Sequence, residues 1–399
     1  MLSTHHALKI TDTVYWVGAI DWNLRDFHGY LTGRGTTYNA FLIVAGGKVV
    51  LIDTVKQPFK DEMLSRIASV VSPEKIDIIV SNHAEMDHTG CLPEVIALAR
   101  PDKVYTSRNG ARDLKQHFDL GAELTPVADG EVLDLGAIKL TFIHSAMLHW
   151  PDSMLTWYEA EGILFSQDAF GMHLASSERF DDEVAADILD YEASKYYANI
   201  LLPYSPLVAR LLAKVQKMNL PLKMIAPDHG PVWRKDPARV LGLYAKWADR
   251  TPGHKAVIIY DTMWQSTAKM ASAVEDGLLA AGAPVKRLSL SVSHRSDVAT
   301  EILDAGALLV GSPTLNSQMY PTVADVLTYL TGLIPGELSA AAFGSYGWNP
   351  LAIGHINRAF EAMQLRVVHP GLTVKYVPKA EDLQKCHDLG RMVGEAIRR

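Results

Sequence analysis

At residues 248–254 the text of the chain changes. A polar stretch holding Pro252 and Gly253, "ADRTPGH", gives way at 256–260 to the apolar run "AVIIY". From there strand-like and helix-like segments alternate: "KAVIIY", "STAKMASAVEDGLLAAG", "VKRLSLS", "DVATEILDAG", "ALLVGS", "PTVADVLTYLTGL", "LSAAAFG", "LAIGHINRAFEAM", "LTVKYV" and a closing helix "EDLQKCHDLGRMVGEAIRR". Five repeats of strand then helix mark an open, parallel, doubly wound sheet, with ligands expected at the carboxyl ends of its strands. Before the break, short β-rich segments dominate: "TVYWVGAI", "YNAFLIVAGGKVVLIDT" with its Gly-Gly turn, "IDIIVS", "KVYTS", "IKLTFIHS", "MLTWYEAEGILFSQ" and "LKMIAPD". Helical patterns such as "PFKDEMLSRIASVV" and "CLPEVIALARP" lie between them, so the expectation is an α/β sandwich. Two domains follow, 1–250 and 251–399, as suits a chain of 399 residues, too long for one ordinary core.

Composition narrows the partners. Apolar residues make up 48% and charged residues 21%, which fits a packed protein and not a disordered one. A formal net charge of -7, with no run of Lys or Arg, speaks against nucleic acid. The start "MLSTHHALKITDTVYW" lacks the basic and continuous apolar regions of a signal peptide, and no stretch reaches the ~18 apolar residues of a membrane span. A cytoplasmic protein without membrane contact is expected. Cys91 and Cys386 are the only cysteines, too few for a disulfide framework, a Cys-rich zinc site or an iron-sulfur site. A rubredoxin-type iron, which takes four cysteines, cannot be built from this chain, so any one-electron donor must be another protein.

In the first domain, residues able to bind metal recur just after apolar runs. "IDIIVSN" leads into His83, Glu85, Asp87 and His88; "LTFIHSAM" into His149; "GILFSQ" into Asp168; "LKMIAP" into His229. Strand ends of one sandwich can converge on one edge. Four histidines and three carboxylates suit two metals better than one, and Asp168 has the chemistry to bridge them. Five further histidines, His5, His6, His117, His254 and His294, have no such placement and read as structural or surface residues. Hydrolytic zinc enzymes of the metallo-β-lactamase type usually carry His-x-His-x-Asp-His where this chain has Glu85. A carboxylate there stabilises ferric iron, and a donor set of carboxylates and imidazoles without thiolate supports redox-active iron, although zinc accepts the same ligands.

The motif His83-x-Glu85-x-Asp87-His88, followed by His149, Asp168 and His229, resembles the di-iron site of the flavodiiron proteins (A-type flavoproteins), a branch of the metallo-β-lactamase fold. The likeness extends to "AIDWNLRDFHGY", "GTTYNAFL", "MLHWPDSM", "FDD", "YYANIL" and "GPVWR". It implies a metallo-β-lactamase-like αββα sandwich, with one iron held by His83, Glu85 and His149, the other by Asp87, His88 and His229, and Asp168 between them. It also implies that His28 and Tyr197 lie over the irons, able to orient or protonate bound substrate.

After the first strand of the second domain, the hydroxyls of Thr262, Ser266 and Thr267, with backbone N–H groups at the helix start, can surround a phosphate without Lys or Arg. Neither G-x-x-x-x-G-K-[ST] nor G-x-G-x-x-G occurs at this turn, so a nucleoside triphosphate or dinucleotide is disfavoured and FMN fits. Two further loops, 311–321 and 344–350, supply amides and the rings of Tyr346 and Trp348 for stacking. Together the three loops resemble those of flavodoxin. The resemblance implies FMN contacts at Thr262, Met263, Trp264, Gln265, Ser266 and Thr267, at Ser312, Pro313, Thr314, Leu315 and Asn316, and at Ser345, Tyr346, Gly347 and Trp348.

The expectation is an oxidoreductase with FMN and two Fe per subunit, passing electrons from a donor such as rubredoxin to a di-iron site that reduces O2 to water, NO to N2O, or both. The resemblance further implies a head-to-tail homodimer, alone or as a dimer of dimers. Two rivals remain open from the residues: a dinuclear zinc hydrolase with an accessory flavodoxin-like domain, and a non-catalytic electron carrier.

Overall fold

The computed structural model describes residues 5–398, and the chain divides into two compact units. One takes the chain up to Phe27, Thr32–Tyr196 and Pro206–Ala245; the other takes His28–Leu31, Tyr197–Ser205 and the chain from Lys246 onward. The last division, between Ala245 and Lys246, lies inside helix Pro237–Asp249, a few residues before the 248–254 segment at which the text of the chain changes. The two short excursions, 28–31 and 197–205, have no signal in the sequence.

The first unit holds a seven-stranded sheet in the order Leu8–Lys9, Val14–Trp16, Phe41–Ala45, Lys48–Ile52, Ile78–Ser81, Lys103–Ser107, Leu124–Val127. Gly46 and Gly47, both at positive φ (58° and 78°), close the hairpin between its third and fourth strands, a turn that matches the natural twist of the pair. Beyond Lys48–Ile52 the pairing is parallel, because the helices Lys60–Ala68, Leu92–Ala99 and Arg108–His117 carry the chain back each time. A five-stranded sheet runs Val132–Asp134, Lys139–His144, Met154–Tyr158, Ile163–Gln167, Met224–Pro227, antiparallel except for its last pair.

Strand alternation explains how the two sheets are stacked. Phe41, Ile43, Val50, Ile52, Ile78 and Val80 face Leu140, Phe142, Met154, Tyr158, Ile163 and Phe165 of the other sheet. The residues between them, Leu42, Val49, Leu51 and Ile79, pack on Met63, Ile67, Leu92, Val95, Ile96 and Leu114 of the helices. On the five-stranded sheet, Leu155, Trp157, Leu164 and Ile225 are buried on the second face as well. Each such side chain contributes roughly 1.5–3 kcal/mol, and the result is the αββα sandwich. Backbone bonds then tie the strand ends together: Met154 N donates to Asn82 O, Asp228 N to Gln167 O and Asn39 N to Asp228 O. The loops after Ile78–Ser81, Ile163–Gln167 and Met224–Pro227 therefore share one edge.

The second unit is a five-stranded, wholly parallel sheet ordered Val285–Ser289, Lys255–Tyr260, Ala305–Gly311, Ser339–Tyr346, Arg366–Lys375. Its strand order, second-first-third-fourth-fifth, is that of flavodoxin and switches direction between the first and third strands. Ala256, Ile258, Leu309, Ala341 and Phe343 pack against Met270, Val274, Leu278, Leu389 and Val393 of the flanking helices. Among the described residues, no helix is long and apolar enough to cross a membrane.

Candidate metal centre and flavin site

At the shared edge of the sandwich the seven side chains read from the sequence as candidate metal ligands come together. They form two groups, His83, Glu85, His149 and Asp168 in one, Asp87, His88 and His229 in the other, with ligand atoms in each group within 4.8 Å of one another. Asp168 faces both. Its Oδ2 lies 3.4 Å from His83 Nε2 and 3.0 Å from His149 Nε2, and its Oδ1 lies 3.1 Å from His88 Nε2 and 3.4 Å from His229 Nε2. Glu85 Oε2 caps the first group, 3.3 Å from His83 Nε2 and 3.2 Å from His149 Nε2. The Asp87 carboxylate caps the second, 3.4 Å from His88 Nε2 and 3.2 Å from His229 Nε2.

The orientation of the imidazoles is set from behind. His83 Nδ1 lies 3.1 Å from Asp152 Oδ2, which also accepts from Ala84 N at 2.5 Å. His229 Nδ1 donates to Thr37 O at 2.6 Å, and His88 Nδ1 lies 3.4 Å from Asp228 Oδ2. A carbonyl can only accept, so Nδ1 of His229 carries a proton, and Nε2 is the ring atom turned toward Asp87 and Asp168. Lone pairs facing carboxylate oxygens at these distances need either protons or a cation between them. That is the donor arrangement of a metal site with its supporting partners.

Electrostatics points the same way. Burial alone would strip the charge from His83, but Asp152, Glu85 and Asp168 hold its pKa well above the usual imidazole range. Burial opposes His88 likewise, and Asp87, Asp168 and Asp228 raise it. His149, penalised by burial, is lifted to about 9 by Asp168 and Glu85. Without metal the site would collect protons; with one, those protons leave. Behind the ligands, burial and the mutual repulsion of Asp53 and Asp228 push the Asp228 carboxyl well up.

Two of the expected residues are placed differently. Tyr197 does not belong to this cluster: its hydroxyl donates to Ser205 Oγ at 3.0 Å and its ring packs on Trp247 at 5.2 Å. Its neighbour Tyr196 is the ring beside the site, 6.3 Å from that of His229 and 5.2 Å from that of His173. His28 is exposed, with a left-handed backbone (φ 54°), and is not one of the buried groups. The same "DFHGY" stretch presents Phe27, whose ring lies 5.0 Å from His173 and 6.5 Å from His229. Sequence reasoning missed Asp152, Asp228, His173, Tyr196 and Trp150, the last edge-on to His83 at 5.3 Å. Asp152 in "HWPDS" and Asp228 in "PDHG" stand close to ligands, which is the signal that could have found them.

In the second unit a cavity of about 550 Å³ opens at the carboxyl ends of the strands. Met263, Trp264, Ser266, Pro313, Thr314, Leu315, Asn316, Ser345, Tyr346, Gly347 and Trp348, all among the positions that the resemblance to flavodoxin picks out, line it together with Ser317, Asn349, Tyr376 and Val377, which it does not. Thr262, Gln265, Thr267 and Ser312 stand outside the lining. Ser312 braces its own loop, accepting from Tyr320 N at 2.8 Å and donating to Pro313 O, while Thr267 Oγ1 pairs with Ser345 Oγ at 3.2 Å. A phosphate fits the first loop on two observations: Thr262 Oγ1 is buried without a hydrogen-bond partner, and helix Ser266–Ala280 begins with no side-chain cap on its N–H groups. Exposed aromatic rings above supply the flat apolar walls an isoalloxazine needs.

A sandwich with a paired metal site, followed by a flavin-type sheet, defines a two-domain redox enzyme. Residues 36–230 match the ODP family beta lactamase and residues 258–390 match flavodoxin. The chain is 48% identical to a nitric oxide reductase of Moorella thermoacetica, over 98% of both chains. Its structure superposes on the rubredoxin oxygen:oxidoreductase of Desulfovibrio gigas with a TM-score of 0.95 at 39% identity, covering 98% of each. For the flavodiiron protein of Giardia intestinalis the TM-score is 0.94 at 33% identity, over 98% of this chain and 96% of the other. The chain belongs to the flavodiiron proteins. Its cofactors are FMN and two irons, and the hydrolase reading is not favoured.

Proposed function

We propose that this protein takes electrons one at a time from a rubredoxin-type donor into FMN and delivers them to a di-iron centre that reduces O2 to water, NO to N2O, or both. In this reading residues 1–250 form the di-iron domain and 251–399 the FMN domain. His83, Glu85 and His149 hold one iron, Asp87, His88 and His229 the other, and Asp168 bridges. The observation that carries the ligand assignment is the division of the two Asp168 oxygens between the two histidine pairs. When bound, two irons changing by one electron each and a flavin changing by two cover the four electrons that O2 takes, or the two that a pair of NO molecules takes.

The chain's own groups do the rest. Tyr196 keeps its proton on Oη, because burial and the nearby Asp168, Glu85 and Asp87 carboxylates push its pKa well above the usual phenol range. His173 stays neutral: burial and the neighbouring His229 hold it down, and its Nδ1 lies 2.9 Å from Thr36 Oγ1. These two buried side chains add a polar wall beside His229 that can orient a small diatomic substrate. A head-to-tail homodimer, alone or paired into a dimer of dimers, and a cytoplasmic location complete the proposal.

The test is anaerobic. The metal-analysed protein is reduced through rubredoxin and its reductase, and consumption of O2 and of NO is compared in one preparation. Turnover of either gas with two irons per chain is the expected outcome. Active protein holding two zinc and no iron would sink the reading.

A further inference from the structure

Two buried residues outside the ligand set, Asn39 of "GTTYNAFL" and Trp16 of "TVYWVGAI", hold the strand end that carries His229. The backbone N–H of Asn39 donates to Asp228 O at 2.7 Å, and its side-chain Nδ2 donates to Pro227 O at 2.7 Å and to Gly230 O at 2.8 Å. One amide group thus bridges the carbonyls on either side of Asp228 and His229. Both its hydrogens go to carbonyls, which only accept, so its oxygen must meet a donor. Trp16 Nε1, which only donates, lies 2.8 Å from Oδ1. Thr37 closes the clamp: its carbonyl accepts from His229 Nδ1 at 2.6 Å and its hydroxyl accepts from Gly230 N at 2.7 Å.

Trp16 is held in turn. The guanidinium carbons of Arg66 and Arg179 each stand 4.7 Å from its ring centre. Arg66 is anchored, donating through Nε to Gly18 O at 2.9 Å and through Nη2 to Glu62 Oε1 at 2.6 Å. Arg179 is buried, and its Nη2 has no hydrogen-bond partner, so the π face of the indole supplies part of what water would. Burial and the neighbouring Arg66 bring the Arg179 pKa down to about 10, which leaves the cation intact at neutral pH. Cations beside an indole ring draw electron density from it and make its N–H a stronger donor. The bond to Asn39 gains from both.

The two groups of the metal centre lean on different supports. His83, in the first group, rests on Asp152. The clamp from Trp16 and Asn39 reaches only 227–230, the segment of the second group. We infer that Trp16 and Asn39 are positioning residues for one metal of the pair, the one assigned to Asp87, His88 and His229: they fix the backbone of 227–230 so that His229 Nε2 stays beside Asp87 and Asp168. The inference rests on the ligand assignment proposed above.

The experiment uses the full chain loaded with FMN and isotopically enriched iron, titrated with a chelator, with the iron that remains at half release examined by Mössbauer spectroscopy. Trp16→Phe keeps a ring beside the guanidinium groups and removes the N–H; Asn39→Ala removes the clamp itself. One of the two irons per chain is expected to bind about tenfold more weakly in Trp16→Phe and roughly 100-fold more weakly in Asn39→Ala, while the other keeps the parental affinity. FMN content and circular dichroism of Trp16→Phe should match the parent. Asp152→Asn is the mirror control, in which the opposite iron goes first and a different Mössbauer signal survives. Parental affinity of both irons in the two clamp variants, or an equal loss of both, would overturn the inference, as would survival of the same signal as in Asp152→Asn. A fourth variant, His229→Ala, tests the assignment beneath it: if that protein binds both irons as the parent does, the ligand reading falls and the inference falls with it. If it loses one iron while the clamp variants lose none, the ligand reading stands and the inference alone fails.

Discussion

The imidazole of His83 is held between two carboxylates with different tasks: Asp168 in front, where the metal belongs, and Asp152 behind, 3.1 Å from Nδ1. Burial alone would raise the Asp152 carboxyl, but His83 and the N–H of Ala84 hold it below the usual range, so it stays charged. Asp152→Asn keeps the shape and removes that charge. Iron affinity is expected to drop 10- to 100-fold, read by chelator competition, with the fold retained by circular dichroism. A second expectation concerns pH. The His149 ring, raised on folding to about 9 from the ordinary value near 6.5, stabilises metal-free protein fully below about 6.5 and loses that contribution as pH rises through about 9. The loss is about 3 kcal/mol for this ring alone. Chelated protein should therefore melt at progressively lower temperature across that window, whereas iron-loaded protein, whose rings are already neutral, should change little. The seven ligand-type residues were legible because each follows an apolar strand run. Which of two adjacent tyrosines faces the site was not. Tyr196 ends a helix and Tyr197 opens a π-helical turn, Tyr197–Leu201, so their directions depend on where the helical period changes, which no local pattern records.

Among the elements, the flavin loops depend on how closely neighbouring strands approach. A Cβ placed on Gly344 would collide with the carbonyl oxygen of Ser312, so the loop after the third strand can lie against the end of the fourth only if that position is glycine. Gly344→Ala should force the two loops apart at a cost of about 1–3 kcal/mol, seen as weaker FMN binding by fluorescence titration, with iron content unchanged. The alternation of strand and helix beyond residue 254 was readable because each element is strongly periodic. The last strand was less so. "LTVKYV" carries the apolar signal, but the strand runs Arg366–Lys375, and Tyr376 and Val377, read as its end, instead leave the sheet and line the flavin cavity. The first half of that strand is also irregular, with register shifts against its neighbour at Ala340/Ala341 and Ala341/Phe343, which blur the period of two over 366–371. In the sandwich, Leu124–Val127 and Val132–Asp134 escaped notice for a related reason: both are short, and their exposed positions give no clean period of two.

For the whole molecule, the consequence to test is which subunit's flavin serves which irons. A two-fold head-to-tail dimer places each flavin against the irons of the other chain, whereas a self-sufficient chain would use its own. Two disabled variants separate these arrangements. Asp168→Ala removes the shared carboxylate and leaves the flavin cavity untouched. Thr267→Asp puts a carboxylate at the start of helix Ser266–Ala280, where it occupies the N–H groups meant for phosphate and excludes FMN. Each homodimer alone should be inactive. Mixed in equal amounts under conditions that let subunits exchange, half the dimers become hybrids, and each hybrid pairs one intact flavin with one intact iron centre across the interface. Head-to-tail transfer then restores about a quarter of the parental specific activity. Transfer within one chain restores none, because no chain in the mixture holds both cofactors. Recovery that tracks the hybrid fraction, measured by native mass spectrometry beside the rubredoxin-driven assay, would establish the head-to-tail arrangement. A hybrid population without activity would place the flavin and the irons that work together in one subunit.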